Sequence, residues 1–142
     1  MYRNRVICII LSILPLSLFA ANLTVDVTNI NSTKGQIIIG LFNNPQSFPH
    51  AGEKYTAKKI KPITGDAAST TFKNLPTGEY AVIAFHDSND DGKLDRKFGR
   101  PIEQYGFSNN ATGFMGPPSF SAAGVKLSKD QTKKITIKLN DA

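Results

Sequence analysis

Apolar and polar residues alternate with a period of two along much of the chain, which is the period of a β-strand with one buried face. The first example places Leu23, Val25 and Val27 on one face, with threonine and aspartate side chains on the other. The run from Ile37 to Phe42 is continuously apolar, as is typical of a strand covered on both faces. No segment carries the 3.6-residue apolar stripe of an amphipathic helix. The pattern therefore predicts a protein built from strands.

Further strands are predicted wherever short apolar runs lie between turns rich in Gly and Pro. The predicted strands occupy residues 23–28, 37–42, 55–63, 69–72, 80–85, 125–127 and 134–139. About seven short strands without a long helix are typical of an all-β fold, an antiparallel β-sandwich of the transthyretin-like or immunoglobulin-like kind. We expect its loops to gather at the two ends of the sandwich and to carry the function.

The beginning of the chain has the order of a secretory signal peptide over residues 1–20. Arg3 and Arg5 form a basic start, an apolar run follows, and small residues precede the expected cleavage site after Ala20. An uncleaved anchor is the alternative, but the apolar run is shorter than the roughly 20 residues that span a bilayer. The length of 142 residues then leaves one domain over residues 21–142, with no membrane span after cleavage. We expect it in the periplasm, at the cell surface or outside the cell.

Composition excludes several kinds of chemistry. The one cysteine, Cys8, lies in the predicted signal peptide, so the mature domain has no disulfide, thiol nucleophile or cysteine-based zinc site. Without Arg3 and Arg5, the 17 basic residues fall to 15 against 11 acidic residues, a net charge of +4. The lysines concentrate in strand-like segments, where they protect sheet edges from aggregation. This modest charge on an exported domain predicts no nucleic-acid partner.

One loop, after the strand that ends at Phe85, has the ligand spacing of a calcium loop. With Asp87 as the first position, oxygen-bearing side chains stand at the third, fifth and ninth positions, and Gly92 stands at the sixth, where the chain must turn sharply. The predicted ligands are the side chains of Asp87, Asn89, Asp91 and Asp95 and the backbone carbonyl of Lys93. An EF-hand has a bidentate glutamate at the twelfth position, where this chain has Phe98, and it has flanking helices, which are not evident here. The loop is therefore not an EF-hand.

Repulsion among the carboxylates of this acidic loop, residues 87–95, favours a bound cation over the other interpretation, an Asp-rich turn that binds nothing. Calcium accepts a flexible set of hard oxygen ligands, whereas magnesium demands octahedral geometry. We therefore predict a structural calcium ion in the acidic loop and expect magnesium to bind more weakly.

The segment that follows, residues 98–120, is long and rich in Gly, Pro and aromatic residues. Its length and aromatic content predict an ordered cap that folds back over the strand end beside the acidic loop. Two alternatives remain for its aromatic side chains: they extend the core, or they border a ligand cleft. Ser108, Asn109 and Asn110 would supply polar ends to such a cleft, or they would satisfy backbone groups of the loop.

Common catalytic motifs are absent, because the chain has no Gly-x-Ser-x-Gly, no His-Glu-x-x-His and no phosphate-binding Gly loop. The strongest enzymatic alternative is a metal-assisted hydrolase of an extracellular polymer, with His86 beside Asp87 and Glu103 in acid–base roles. A histidine at a strand end is more often structural. The sequence therefore favours a non-enzymatic binding or structural module for an envelope or extracellular ligand.

Six motifs of the mature chain carry a family resemblance. They are Leu23-Thr24-Val25, Gly35-Gln36-Ile37, Leu75-Pro76-Thr77-Gly78-Glu79-Tyr80-Ala81-Val82, the acidic loop with the preceding Phe85-His86, Tyr105-Gly106-Phe107-Ser108-Asn109-Asn110 and Gly116-Pro117-Pro118-Ser119-Phe120. Together they resemble family 2141 of the bacterial domains of unknown function, over nearly the whole mature chain. The resemblance implies an exported single domain and no particular activity. The Leu-Pro-x-Gly-x-Tyr turn is also similar to one in transthyretin-like and adhesin B-type sandwiches, a likeness that implies the four acidic-loop side chains as metal ligands.

Overall fold

The computed structural model describes residues 20–142, so the predicted signal peptide, apart from Ala20, lies outside the described residues together with Cys8. The strands are β1 (Ala21–Thr28), β2 (Gln36–Phe42), β3 (Thr56–Ile60), β4 (Ala68–Leu75), β5 (Gly78–Asp87), β6 (Arg96–Lys97), β7 (Arg100–Pro101), β8 (Tyr105–Phe107), β9 (Val125–Leu127) and β10 (Thr132–Lys138). Single 3-10 turns occur at Ala51–Glu53 and Ser108–Asn110. Within residues 20–142, no helix is long and apolar enough to cross a membrane.

The strands form a β-sandwich, which confirms the predicted fold class. In the first sheet, β1 lies between β10 and β4; in the second, the order is β3, β2, β5, β8, and β9 pairs with the start of β5. Two details differ from the prediction. The strands number ten rather than about seven, because β6, β7 and β8 lie where a loop was predicted. Moreover, β1 and β10 run parallel, an arrangement that needs a long connection rather than a hairpin between the two strands, and a period of two does not reveal strand direction.

Aliphatic side chains from both sheets fill the space between them. The fully buried members are Ala21, Leu23, Val25 and Val27 of β1, Ile37, Ile39 and Leu41 of β2, Val82 and Ala84 of β5, Ile137 of β10, and Leu139 just after it. The alternation read from β1 is confirmed, because its threonine and aspartate side chains are only half-buried. Removal of this apolar surface from water, at about 25 cal/mol per Å², is the main force that holds the two sheets together.

The outer face of the second sheet is also covered, as the continuous apolar run of β2 predicts. A second buried cluster lies there, formed by Phe42, Phe48, Ala81, Phe107 and Ala123. The ring of Phe48 meets those of Phe42, Phe107 and Phe120 edge to face, at centroid distances of 5.3, 5.7 and 6.0 Å. This aromatic cluster attaches the segment after β2 and the segment before β9 to the sheet.

Candidate functional site

The acidic loop begins at the last residue of β5, where Asp87 is fully buried. Asp87 Oδ2 accepts hydrogen bonds from Gln36 Nε2 at 2.7 Å and from Gly92 N at 2.8 Å. Asp87 Oδ1 accepts a further bond from Asp91 N at 3.1 Å. Gly92 has a φ of +80°, a left-handed conformation that suits glycine, and it turns the chain back toward Asp87. The first predicted ligand therefore fixes the curl of the loop.

The carboxyl group of Asp87 is held in its ionised form. Burial alone would raise its pKa, but hydrogen bonds from the Gln36 side chain and from backbone amides of the loop outweigh that cost. The pKa of Asp87 therefore lies below its ordinary value. Gly35, with a φ of +79°, allows this close packing, because a Cβ there would lie 2.2 Å from the backbone oxygen of Asp87.

The other predicted ligands lie on the outer part of the same loop. Asn89 Nδ2 donates to Asp95 Oδ2 at 2.7 Å, and Asn89 Oδ1 accepts a bond from Asp91 N at 3.3 Å. Asp91 Oδ1 in turn accepts a bond from Lys93 N at 2.9 Å. The structure thus brings Asp87, Asn89, Asp91 and Asp95 into one hydrogen-bonded loop. Across residues 20–142, no group of three or more His, Cys, Asp or Glu side chains is placed to hold a metal ion, and calcium binding stays a prediction.

Glu103 joins the loop from outside it and is itself buried. Its Oε1 accepts hydrogen bonds from the backbone N and Oγ of Ser88, at 2.9 and 3.0 Å. Its Oε2 accepts a bond from Asp95 N at 3.1 Å. The two ends of the acidic loop are therefore clamped by one carboxylate that lies beyond the loop in the sequence.

Asp95 has a carboxyl group whose ionised form is disfavoured. Loss of hydration around it and the nearby negative charges of Asp91 and Glu103 raise its pKa, and the hydrogen bond from Asn89 offsets only part of that rise. The pKa of Asp95 accordingly lies above its ordinary value, opposite to that of Asp87. The acidic loop therefore has a well-bonded end at Asp87 and an electrostatically strained end at Asp95.

His86 and Glu103, the acid–base pair of the hydrolase interpretation, are both engaged by neighbouring groups. His86 is buried, and its Nε2 donates to the backbone oxygen of Lys34 at 2.6 Å. Glu103 makes its contacts to Ser88 and Asp95 instead of to His86. These bonds give both side chains a structural role in holding the turn before β2 and the acidic loop.

Ser108, Asn109 and Asn110 fasten the segment 98–120 to the sandwich. Ser108 Oγ accepts a bond from Val82 N at 2.9 Å, and Asn110 Oδ1 accepts one from Lys138 N at 2.9 Å. Asn109 Nδ2 donates to two backbone carbonyls of the turn before β9, at 3.1 and 2.9 Å. Of the two interpretations of this polar motif, the structure supports the satisfaction of backbone groups.

The aromatic residues of the segment 98–120 divide into two groups, with Phe120 at its end packed into the aromatic cluster described above. Tyr105 and Phe107 belong to β8 and extend the core, with Phe107 opposite Ile83 of β5. Phe98 and Phe114 are 95% and 96% exposed, so these two rings do not extend the core. The reason is topological: residues 105–107 add a strand to the sheet, whereas Phe98 lies in the tight turn between β6 and β7, where no neighbouring strand covers it.

A cleft of about 850 Å³ opens on the outer face of the second sheet. It lies between the basic hairpin, residues 96–101, and the apolar segment, residues 111–118. Its lining includes Ile83, Tyr105 and Phe107 from the sheet, Arg96, Phe98 and Arg100 from the basic hairpin, and Met115 from the apolar segment. Met115 is 92% exposed, so large apolar side chains stand in solvent on both sides of this cleft.

A family model described as "Uncharacterized protein conserved in bacteria (DUF2141)" matches residues 25–136. The chain belongs to the DUF2141 family. The resemblance carried by its motifs is thereby confirmed. A comparison of this DUF2141 chain with curated proteins gives no match.

Among solved structures, the tip fimbrial protein Mfa3 from Porphyromonas gingivalis, with a C-terminal truncation, is similar to the DUF2141 chain at 12% sequence identity and a TM-score of 0.42. The match covers 86% of this chain and 48% of the fimbrial protein, so the chain spans about half of its length. A similarity of this size assigns neither a function nor a partner to this chain.

Two features of this DUF2141 domain were not predicted from its sequence. The first is the clamp formed by Glu103. The spacing within the acidic loop does not reveal it, because Glu103 lies outside the loop, between β7 and β8. The second is the exposure of Phe98 and Met115 in left-handed conformations, with φ values of +49° and +56°. Gly99 alone was the available signal for a tight turn, since glycine favours the second central position of turns that join short antiparallel strands, whereas Phe98 is unusual at the first.

Proposed function

We propose that this domain is an exported binding or structural module of the cell envelope, and that calcium bound by its acidic loop stabilises it. Export is supported by the basic, apolar and small-residue order of residues 1–20. The single observation that carries the calcium proposal is the strained carboxylate of Asp95 beside Asp91 and Glu103, in a loop already curled by Asp87. A cation relieves that repulsion, so the folded loop offers it a favourable place.

The donor groups suit calcium in chemical type. Asp87, Asn89, Asp91 and Asp95 would supply side-chain oxygens, and Lys93 its backbone carbonyl, which are the hard ligands that calcium prefers. Glu103 would add a carboxylate that the loop itself lacks at its twelfth position, where Phe98 stands. The ion would supply positive charge that neutralises these groups and links both ends of the loop.

Calorimetric titration of the chelated domain, residues 21–142, tests this proposal. We expect one calcium site with magnesium binding more weakly, and a melting temperature that rises with calcium because the ion binds the folded state. Asp91→Ala should abolish both effects. Asp90→Asn is the matched control, because Asp90 pairs with Lys61 at 2.7 Å on the surface, has a φ of +59° that asparagine tolerates, and stands outside the predicted ligand set. Equal melting of the unaltered domain and Asp91→Ala, with and without calcium, would refute the calcium site.

Fractionation of cells that express the full chain, followed by N-terminal sequencing, tests export. We expect a mature chain that begins near Ala21 in the periplasmic, surface or extracellular fraction. Recovery of the uncleaved chain in the inner membrane would instead identify a signal anchor.

We propose that the module acts without catalysis. Two contacts support this proposal. The buried imidazole of His86 donates to the backbone oxygen of Lys34, and both oxygens of Glu103 accept hydrogen bonds from the acidic loop. A group that is held in this way is poorly placed to exchange protons with a substrate. Release of products from envelope polymers by the purified, calcium-loaded domain, lost in His86→Gln, would overturn this part of the proposal.

A further inference from the structure

The basic hairpin combines an exposed aromatic ring with a concentration of positive charge. Three of its residues are cationic, namely Arg96, Lys97 and Arg100, and all three are exposed. Phe98 at its turn is 95% exposed, and the Lys97 ammonium lies 6.0 Å from the centre of its ring. The acidic loop ends next to Arg96 and offsets part of this charge. The hairpin nevertheless presents an apolar tip between cationic residues.

Local folding does not account for the residue at that tip. Phe98 and Gly99 both have positive φ, +49° and +76°, as in the tight turns that favour asparagine followed by glycine. A bulky side chain is unfavourable in this conformation. Phe98 therefore strains the backbone of the turn, while its exposed ring gains little from folding beyond the surface contact with the Lys97 ammonium.

The same combination occurs on the other side of the cleft. Met115 has a φ of +56° and is 92% exposed, and its neighbour Phe114 is 96% exposed. Phe98 and Met115 line the same cleft. Two segments that are distant in the sequence thus place strained, exposed apolar side chains on one surface, together with the cations of the basic hairpin.

We propose that this surface binds the membrane, with Phe98 and Met115 entering the interfacial region and the hairpin cations contacting anionic phospholipid headgroups. Protruding apolar side chains favour this partner, because they can enter a fluid lipid layer without a matching pocket. Charge complementarity supplies the second part of the recognition, since basic residues near an anionic bilayer each strengthen binding about fivefold. The proposal does not depend on calcium in the acidic loop.

Co-sedimentation of the domain, residues 21–142, with lipid vesicles in the presence of a calcium chelator tests this inference. We expect binding to vesicles of phosphatidylcholine mixed with phosphatidylglycerol, and much weaker binding to phosphatidylcholine alone. The chelator removes calcium bridging as an explanation, so failure of the calcium site and failure of this proposal are separate results. Absence of binding to the anionic vesicles overturns the proposal.

Phe98→Asn isolates the apolar contribution, because asparagine suits the left-handed turn and preserves the hairpin. We expect this variant to melt no lower than the unaltered domain but to bind anionic vesicles at least about tenfold more weakly, since the ring no longer leaves water. Tyr55→Ser is the control, because Tyr55 is a 46% exposed aromatic outside the cleft lining, and its partner Tyr80 lies near the start of β5. Equal binding by Phe98→Asn and the unaltered domain contradicts the inference.

Charge is tested by the double variant Lys97→Gln with Arg100→Gln, which should weaken binding by about 25-fold. The matched control is Lys73→Gln with Lys126→Gln, which removes the same charge from exposed positions in β4 and opposite Glu79 of β5, both outside the cleft lining. Equal weakening by both pairs would show general attraction without this surface and would overturn the proposal. A second result would also overturn the proposal: no vesicle binding, together with a dimer in gel filtration that the Phe98→Asn variant no longer forms.

Discussion

The acidic loop and the cleft beside it differ in which side chains they expose to solvent. At the acidic loop, two carboxylates are buried, that of Asp87 in the loop and that of Glu103 beside it, and both accept hydrogen bonds. At the cleft, apolar groups remain in solvent, since Phe98 and Met115 line it and are more than nine-tenths exposed. The two regions adjoin, because β6 follows the acidic loop directly.

This contrast separates residues that hold the fold from residues available to a partner. A buried, bonded carboxylate stabilises the structure around it, and its removal leaves donors without acceptors. An exposed apolar side chain adds little to folding, and its removal costs little. Residue type alone would assign these roles the other way round, since aspartate is ordinarily exposed and phenylalanine buried. Measurements of the free energy of unfolding should therefore distinguish the two regions.

The largest expected difference lies between two phenylalanines of the same segment. Phe107→Ala should lower the free energy of unfolding by about 4 kcal/mol, because it opens a cavity in the aromatic cluster on the outer face. Phe114→Ala should change it by less than about 0.5 kcal/mol, since the ring is exposed. Urea denaturation of both variants measures the difference. Similar losses would mean that the apolar segment is part of the core after all.

Asp87→Ala should lower the free energy of unfolding by about 3 kcal/mol, because Gln36 Nε2 and the amides of Asp91 and Gly92 lose their acceptor. The control is Asp90→Asn in the same loop, where loss of an exposed ion pair with Lys61 should cost less than about 1 kcal/mol. Both are to be measured in a chelator. Comparable stability of the two variants would show that Asp87 does not organise the loop.

The pH dependence should report the same difference between the ends of the loop. A folded-state pKa below the ordinary value of 3.8 means that Asp87 contributes stability above that value and loses it as the pH falls further. The Ser69 hydroxyl and Lys134 lower the pKa of Asp26 in the same direction. Stability of the chelated domain should therefore fall below about pH 4, and Asp87→Asn should flatten that fall without removing the share of Asp26. An unchanged acid profile in Asp87→Asn would contradict this account.

Asp95→Asn should have the smallest effect on stability and the opposite sign. Because the pKa of Asp95 is raised, its ionised form disfavours the folded state as the pH rises through that pKa, and a neutral asparagine removes the repulsion from Asp91 and Glu103. In a chelator at neutral pH, the melting temperature should rise slightly. In calcium the order should reverse, since the unaltered loop gains from the ion and the variant gains less. A lower melting temperature in the chelator would show that the hydrogen bond from Asn89 outweighs the repulsion.

The regular alternation of the long strands made the sandwich predictable from the sequence. The short strands could not be predicted. Leu23, Val25 and Val27 face the core as their period implies, because burial of one face imposes that period on a strand. The strands β6 and β7 contain two residues each, too few for any period. The clamp formed by Glu103 could not be predicted for another reason. Glu103 contacts Ser88 and Asp95, which lie 15 and 8 residues before it, and no local sequence pattern links these positions.

By itself, the sequence determined the strand character of the chain, the apolar face of each long strand, the tight turn at Gly92 and the order of oxygen-bearing residues from Asp87 to Asp95. These properties depend on local periodicity and on the conformations that individual residues permit. Tertiary structure alone decided that β1 runs parallel to β10, that Glu103 closes the acidic loop, and that Phe107 is buried while Phe98 and Phe114 are exposed. Strand order brings distant segments together and assigns each side chain its neighbours, and hydrophobicity alone does not specify which apolar residue a strand will cover.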